Sequence, residues 1–192
     1  GWNIYGQLGL GESGMSNYRK SFERVVVPEL PKRVVITEIV CGDYHTMLLA
    51  SNGSVYACGD NTFGQLGLGE SGRGNHRKSF ERVTIPRLPK GVVITEIVCG
   101  YYHTMLLANN GTVYACGRNS YGKLGLGESG VDRPVVSRFE RVTVPELPDG
   151  VVITKIACGN YYTMLLASNG AVYACGYNTY GQLGLGESGV AR

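Results

Sequence analysis

Several side-chain patterns in this 192-residue sequence could carry chemistry. Glycines spaced Gly-x-Gly-x-x-Gly stand at Gly9, Gly11 and Gly14, and the same spacing starts again at Gly67, Gly125 and Gly184. Such a run can cradle a pyrophosphate only where a strand leads in and a helix leads out, so that the phosphate meets the helix N-terminus. Here each run enters a polar loop and then an extended segment. A glycine-rich turn that crosses close to neighbouring chain is therefore expected, and no cofactor. The six cysteines, Cys41, Cys58, Cys99, Cys116, Cys158 and Cys175, form pairs 17 residues apart. Zinc needs clustered ligands such as Cys-x-x-Cys, which the sequence lacks, so no metal site is expected. With no secretion signal read at the N-terminus, buried free thiols of an intracellular protein, in cytoplasm or nucleus, are the expectation. Asn52-Gly53-Ser54 and Asn110-Gly111-Thr112 match the glycosylation acceptor, and His45 and His103 could serve as general bases.

These residues must be positioned by a repeat. Residues 33–42 return at 91–100 and 150–159; His45–Ala50 returns at His103–Ala108 and, with tyrosine first, at Tyr162–Ala167; Val55–Gly59 returns at Val113–Gly117 and Val172–Gly176. The period is 58 residues, then 59, and the added residue falls in the polar loop between Gly130 and Phe139. The repeat decides two of the ambiguous motifs. The third copy reads Asn169-Gly170-Ala171, so only Asn-Gly is kept, as a hairpin turn demands and glycosylation does not. Tyr162 replaces the histidine in the third copy, and no nucleophile accompanies the other two. A structural hydrogen bond within each repeat unit is the reading preferred to catalysis.

Within each unit the pattern is of strands, with no helix. The expected strands are Val34–Val40, Thr46–Ala50, Val55–Cys58 and an outer strand represented by Phe22–Val27, closed by Pro28 and Pro31. Four antiparallel strands make one propeller blade. Val-Tyr-Ala-Cys-Gly-x-Asn-x-x-Gly-Gln-Leu-Gly at 55–67, linked to Cys-Gly-x-x-His-Thr at 41–46, resembles the repeat of the RCC1-like β-propeller family over the whole chain. The resemblance implies an all-β array of four-stranded blades. It divides the chain into a closing outer-strand segment (1–32), a first blade (33–90), a second (91–149) and a third lacking its outer strand (150–192). Family propellers usually carry seven blades and often have tryptophan where Cys58, Cys116 and Cys175 stand.

Positions that differ between copies are where function is sought. The first set follows Cys-Gly: Asp43-Tyr44, Tyr101-Tyr102 and Asn160-Tyr161. By resemblance these lie on one face of the ring, used for partner proteins and, in plant ultraviolet receptors, for tryptophan-based light sensing. The only tryptophan here is Trp2, so a protein partner is expected and light sensing is not. The second set is the loop after Gly-Glu-Ser-Gly, with Arg19-Lys20 in one copy and Arg77-Lys78 in the next; the third copy holds Asp132 and loses the cluster. An ordinary solvated loop is the favoured reading there, with phosphate or acidic protein the other. The founding member's nucleotide exchange on a small GTPase fits less well, because its wedge hairpin has no counterpart insertion here.

Charge and composition agree with a binding module. Eighteen basic against fifteen acidic residues give +3 without a block of one sign, too mild to imply nucleic acid. No apolar run approaches the roughly 20 residues that cross a bilayer as a helix. The first residue is Gly1 rather than methionine, consistent with a fragment or an engineered array. Three blades are too few for a closed ring, so the chain is expected to associate with itself, most simply as a dimer.

Overall fold

The computed structural model describes residues 1–127, 131–145 and 147–189. Gly130, which completes the third glycine-rich motif, and residues 190–192 at the end of the third unit lie outside the described residues. The strands are β1 (Ile36–Cys41), β2 (His45–Ala50), β3 (Val55–Gly59), β4 (Arg77–Arg82), β5 (Ile94–Cys99), β6 (His103–Ala108), β7 (Val113–Arg118), β8 (Val135–Arg141), β9 (Ile153–Cys158), β10 (Tyr162–Ala167) and β11 (Val172–Gly176). They form two four-stranded antiparallel sheets, β1-β2-β3-β4 and β5-β6-β7-β8, and a three-stranded sheet β9-β10-β11. Among the described residues one 3₁₀ turn, Ser120–Gly122, accompanies them. The Asn-Gly hairpins are as expected, with Gly53, Gly111 and Gly170 at φ +79°, +81° and +86°.

The Met-Leu-Leu-Ala stretch of the middle strands is apolar because, in the first two blades, both faces of β2 and β6 are covered. In β2, Met47 and Leu49 point toward the second blade, where Ile97, Leu106, Tyr114 and Phe139 meet them. Leu48 and Ala50, one residue out of phase, point the other way and pack with Tyr56, Phe80 and the partly buried Val25 and Val27. The second junction repeats the first, with Met105, Leu107 and Val113 against Ile156 and Leu165. The core is thus a series of layers between blades.

A polar seam fastens each layer. The loop after β3 sends the Gln65 carbonyl into the next blade, where it accepts from Thr104 Oγ1 at 2.8 Å and from the Cys116 thiol at 3.5 Å. Gln7 does the same for Thr46 and Cys58, and Lys123 for Thr163 and Cys175. Since the Thr104 hydroxyl spends its proton on Gln65, it accepts from His45 Nε2 at 2.9 Å. His45 is thereby held as a neutral imidazole, and burial lowers its pKa to about 4. His103 reaches Thr163 at 3.4 Å in the same way. The histidine bonds therefore cross between blades, a correction to the bond expected within each blade: the imidazole sits at the start of the strand facing the following unit.

Other expectations change at the open ends. Phe22–Val27 is not a strand, and in the two complete sheets the outer strand begins before the phenylalanine that matches Phe22, at Arg77, three residues ahead of Phe80, and at Val135, four ahead of Phe139. Among the described residues no β3-type strand lies beside the N-terminal copy, so no ladder forms there. Leu166, expected in the core with Leu165, is 38% exposed because no blade follows it among the described residues. Cys41 is exposed for the matching reason at the other end, whereas Cys58 and Cys116 are buried and all six cysteines are free. The close-crossing reading of the glycine runs holds: a Cβ on Gly67, at φ +69°, would stand 2.4 Å from the Phe139 ring of the next blade.

Candidate functional site: a tyrosine-lined face

Two kinds of loop build one continuous aromatic surface. The first is the turn between the first two strands of each blade. Gly42 N–H donates to the His45 carbonyl at 2.9 Å and closes a turn whose tip is Asp43-Tyr44; the same bond recurs at Gly100 and Gly159. Glycine is required at the base because a Cβ on Gly42 would fall 2.3 Å from the His45 ring. The second is the loop after the third strand, folded around a buried asparagine. In its first full copy, Asn61 Oδ1 accepts from Leu66 N–H and Asn61 Nδ2 donates to the Glu70 carbonyl. Its tip carries an aromatic residue, Tyr5, Phe63, Tyr121 or Tyr180, in the four copies.

Together these loops place rings in contact across every junction. Trp2 and Tyr5 meet Tyr44 at 6.1 and 5.6 Å between centroids. Tyr44 meets Tyr101 and Tyr102, each at 6.0 Å, and Phe63 packs on Tyr102 at 4.8 Å. Tyr101 continues to Tyr161 at 5.9 Å; Tyr161 reaches Tyr121, Tyr177 follows at 4.8 Å from Tyr121, and Tyr180 ends the series. Trp2, Tyr121, Tyr161 and Tyr180 are exposed, and the others are half-buried. Phenol-to-phenol interaction with Tyr101 raises the Tyr44 pKa, and burial followed by the Tyr101 hydrogen bond raises that of Tyr102. Both are protonated at neutral pH, which leaves neutral, hydrogen-bonding rings.

The electrostatics differ along the face. Asp43 and Asp60 lie with the first blade. At the next junction the residue matching Asp60 is Arg118, whose guanidinium sits 4.7 Å above the Phe63 ring. Lys123 replaces the glutamine that elsewhere completes this loop. Gln65 donates to Asp60 at 2.8 Å, a partner that is absent once Arg118 takes its place. Lys123 turns instead to the Asn160 carbonyl at 3.3 Å and lies 5.4 Å from the Tyr161 ring centre. It is buried, and burial lowers its pKa to about 8.

Of the residues singled out from sequence, Tyr44, Tyr101, Tyr102 and Tyr161 come together, with Asp43 and Asn160 at the same turn tips. Arg19, Lys20, Arg77 and Lys78 are not drawn into this cluster. Arg19 pairs with Glu12 and Glu23, and Arg77 with Glu70 and Glu81, so both guanidinium groups are neutralised within the chain. Lys20 and Lys78 are exposed. From those loops only His76 touches the rings, 6.3 Å from Tyr5. Sequence reasoning missed Arg118, Lys123 and the rings at 5, 63, 121, 177 and 180. The signal was Gly-Lys-Leu-Gly at 122–125, where the other copies read Gly-Gln-Leu-Gly.

The family model described as the regulator of chromosome condensation (RCC1) repeat matches at residues 1–49, 52–107 and 110–166, and a second model of that description matches 36–65, 94–123 and 153–182. The chain belongs to the RCC1 repeat family. It is similar to the ultraviolet-B receptor UVR8 of Arabidopsis thaliana, 32% identical over 98% of this chain and 38% of that protein. Among solved structures, human WBSCR16 superposes with a TM-score of 0.74 over 91% of this chain and 41% of that one, at 22% identity. Prp20p from Saccharomyces cerevisiae, described with its binding to Gsp1p and histones, superposes with a TM-score of 0.63 at 24% identity, over 79% of this chain and 35% of that one. At these identities the two structures establish the RCC1 propeller fold alone. The chain spans well under half the length of each of these proteins. Among the described residues, no helix is long and apolar enough to cross a membrane, and no His, Cys, Asp and Glu side chains gather as a metal site.

Proposed function

We propose that this RCC1-repeat chain is a non-catalytic scaffold, in cytoplasm or nucleus, that docks a partner protein on its tyrosine-lined face. The observation that carries the reading is the unbroken series of rings from Trp2 to Tyr180, partly exposed and set on turns that the blades hold rigid. Large rings with polar tips add contact area at small entropic cost, and Arg118 supplies a cation of the type enriched at binding hot spots. The histidines that looked like bases are neutral and fully buried, which supports a non-catalytic role. Neutralisation of Arg19 and Arg77 disfavours nucleic acid; such binding would weaken steeply with salt.

A photo-crosslinking side chain at position 101, compared with one at exposed Thr143 on the outer edge, tests the face. Adducts with a protein from cell extract concentrated at position 101 are expected, and equal yield at the two positions overturns the assignment. Gsp1p and histones, which Prp20p binds, are the first purified ligands to assay. Accelerated GDP release from a small GTPase would replace the scaffold reading with the exchange activity of the family's founding member.

A further inference from the structure

One copy of the loop after the third strand lacks an acceptor that the others carry. In those others the side-chain oxygen of Gln7, Gln65 or Gln182 accepts from the backbone N–H two residues earlier, at Tyr5, Phe63 or Tyr180, at 2.9 to 3.0 Å. Lys123 stands at this position in the remaining copy, and an ammonium has no lone pair to offer. Among the described residues no acceptor takes its place at the Tyr121 N–H. The backbone differs with it: Tyr121 turns to φ +64°, whereas Tyr5, Phe63 and Tyr180 keep negative φ. A left-handed conformation is costly for a bulky residue, so this loop stands out from its copies in backbone as well as in side chain.

The same copy gathers positive charge that nothing balances. Arg118 stands where the preceding copy has Asp60. The Asp60 carboxylate is spent on its own loop, accepting from the Thr62 N–H and hydroxyl at 3.1 and 2.6 Å and from Gln65 at 2.8 Å. Arg118 is fixed in another way: its N–H donates to the Tyr102 carbonyl at 2.8 Å, and its half-buried guanidinium lies on the Phe63 ring. Lys123 is wholly buried, and burial followed by repulsion from Arg118 lowers its pKa to about 8, which leaves both groups cationic at neutral pH. Among the described residues no carboxylate pairs with either of them.

We propose that the loop at 118–123 is a carboxylate-binding subsite of the tyrosine face, at which Arg118 grips an aspartate or glutamate side chain of the docked partner protein while Lys123 adds positive potential. The proposal rests on the partner-docking reading of that face and names the chemistry that one part of it selects. A planar carboxylate suits the subsite better than a phosphate. Arg118 offers one fork, stacked on a ring, and a carboxylate takes both of its parallel N–H donors. A phosphate dianion needs a second cation within reach, and Lys123 is buried. The rings beside the two cations, Phe63 for Arg118 and Tyr161 for Lys123, displace water and so strengthen the attraction. The first junction has the opposite sign, with Asp43 exposed at its turn tip. The partner's acid is therefore steered to the second junction, which fixes its direction along the face.

Titration of the isotope-labelled chain with acetyl-Leu-Glu-Leu-amide, followed by amide NMR shifts, tests the subsite against acetyl-Leu-Gln-Leu-amide, which has the same shape without the charge. Shifts centred on residues 118–123 are expected, with the glutamate peptide bound at least about fivefold more tightly. Arg118→Gln is expected to erase that preference, and Lys123→Gln, which restores the residue of the other copies, to reduce it at least about twofold. Both variants keep the blades intact, because the bond to Tyr102 and the bond from Thr163 use backbone atoms of residues 118 and 123. No preference for the glutamate peptide up to about 10 mM overturns the proposal. So does a preference that survives Arg118→Gln, or inorganic phosphate that binds this loop more tightly than the glutamate peptide. Crosslinking reads the face itself: adducts concentrated at position 101 without a peptide preference sink the subsite alone, whereas equal yields at positions 101 and 143 sink the face.

Discussion

Replacing Thr104 by valine keeps the shape of the seam between the first two blades and removes its hydroxyl. Thr104 is fully buried, donates to the Gln65 carbonyl at 2.8 Å and accepts from His45 Nε2 at 2.9 Å. Valine leaves the His45 N–H without an acceptor and leaves the Gln65 carbonyl only the weak Cys116 thiol at 3.5 Å. A lost neutral bond costs about 1 kcal/mol and a stranded buried donor about 1 to 3, so the loss is about 3 kcal/mol. For a chain of this size that lowers Tm by roughly 6 to 12 °C in scanning calorimetry. The repeat supplies its own control. Thr46 makes the equivalent bond to Gln7 at 2.7 Å, is only half-buried and, among the described residues, accepts from no histidine of a neighbouring blade, so Thr46→Val should cost about 1 kcal/mol. A double variant, His45→Phe with Thr104→Val, removes both polar partners together and should recover part of the loss. Equal costs for Thr104→Val and Thr46→Val, or no recovery in the double variant, would refute the inter-blade role of the histidine.

Other expectations follow from the same layers. Leu106→Ala, at a fully buried site between blades, should cost about 2 to 5 kcal/mol, and Leu166→Ala, at the open face, under about 1, read as shifts in the urea midpoint. Arg33 holds φ +67° where the other copies have Gly91 and Gly150 at +81° and +77°. Arg33→Gly should therefore stabilise, by about 1 kcal/mol and a Tm rise of a few degrees. Acidification tests the neutral imidazole. Unfolded chains take up a proton near pH 6.5 that His45 refuses until about 4. Stability should be complete above pH 6.5 and fall as pH drops from there to about 4, by up to about 3 kcal/mol for this group. The first decline in Tm should thus appear near pH 6.5, above the range in which carboxylates titrate.

Much of this architecture was legible because local chemistry repeats. Asn-Gly between short apolar runs can hardly be anything but a hairpin, and three copies in register exposed both the fold and the decoys among the motifs. The misreadings share one cause, which is that each concerns what lies outside a unit. The outer strand was placed at Phe22–Val27 because pairing there depends on a partner strand that the first copy does not have. Leu166 reads as core from its own strand, yet its exposure is set by the blade that would follow it. The His45 bond reaches the next unit, a distance of 59 residues in sequence that no local pattern encodes. The face was half-visible: the turn tips varied openly between copies, whereas Lys123 changed a single residue inside an otherwise constant loop.

The seam reads the backbone of its incoming loop and ignores the side chain. Thr46, Thr104 and Thr163 all take a carbonyl, whether it belongs to Gln7, Gln65 or Lys123. Substitution at that position therefore alters the chemistry of the surface while leaving the joint between units as it was. Cohesion and recognition can drift separately in such an array, each new blade inheriting a standard joint and presenting whatever surface its loops happen to spell.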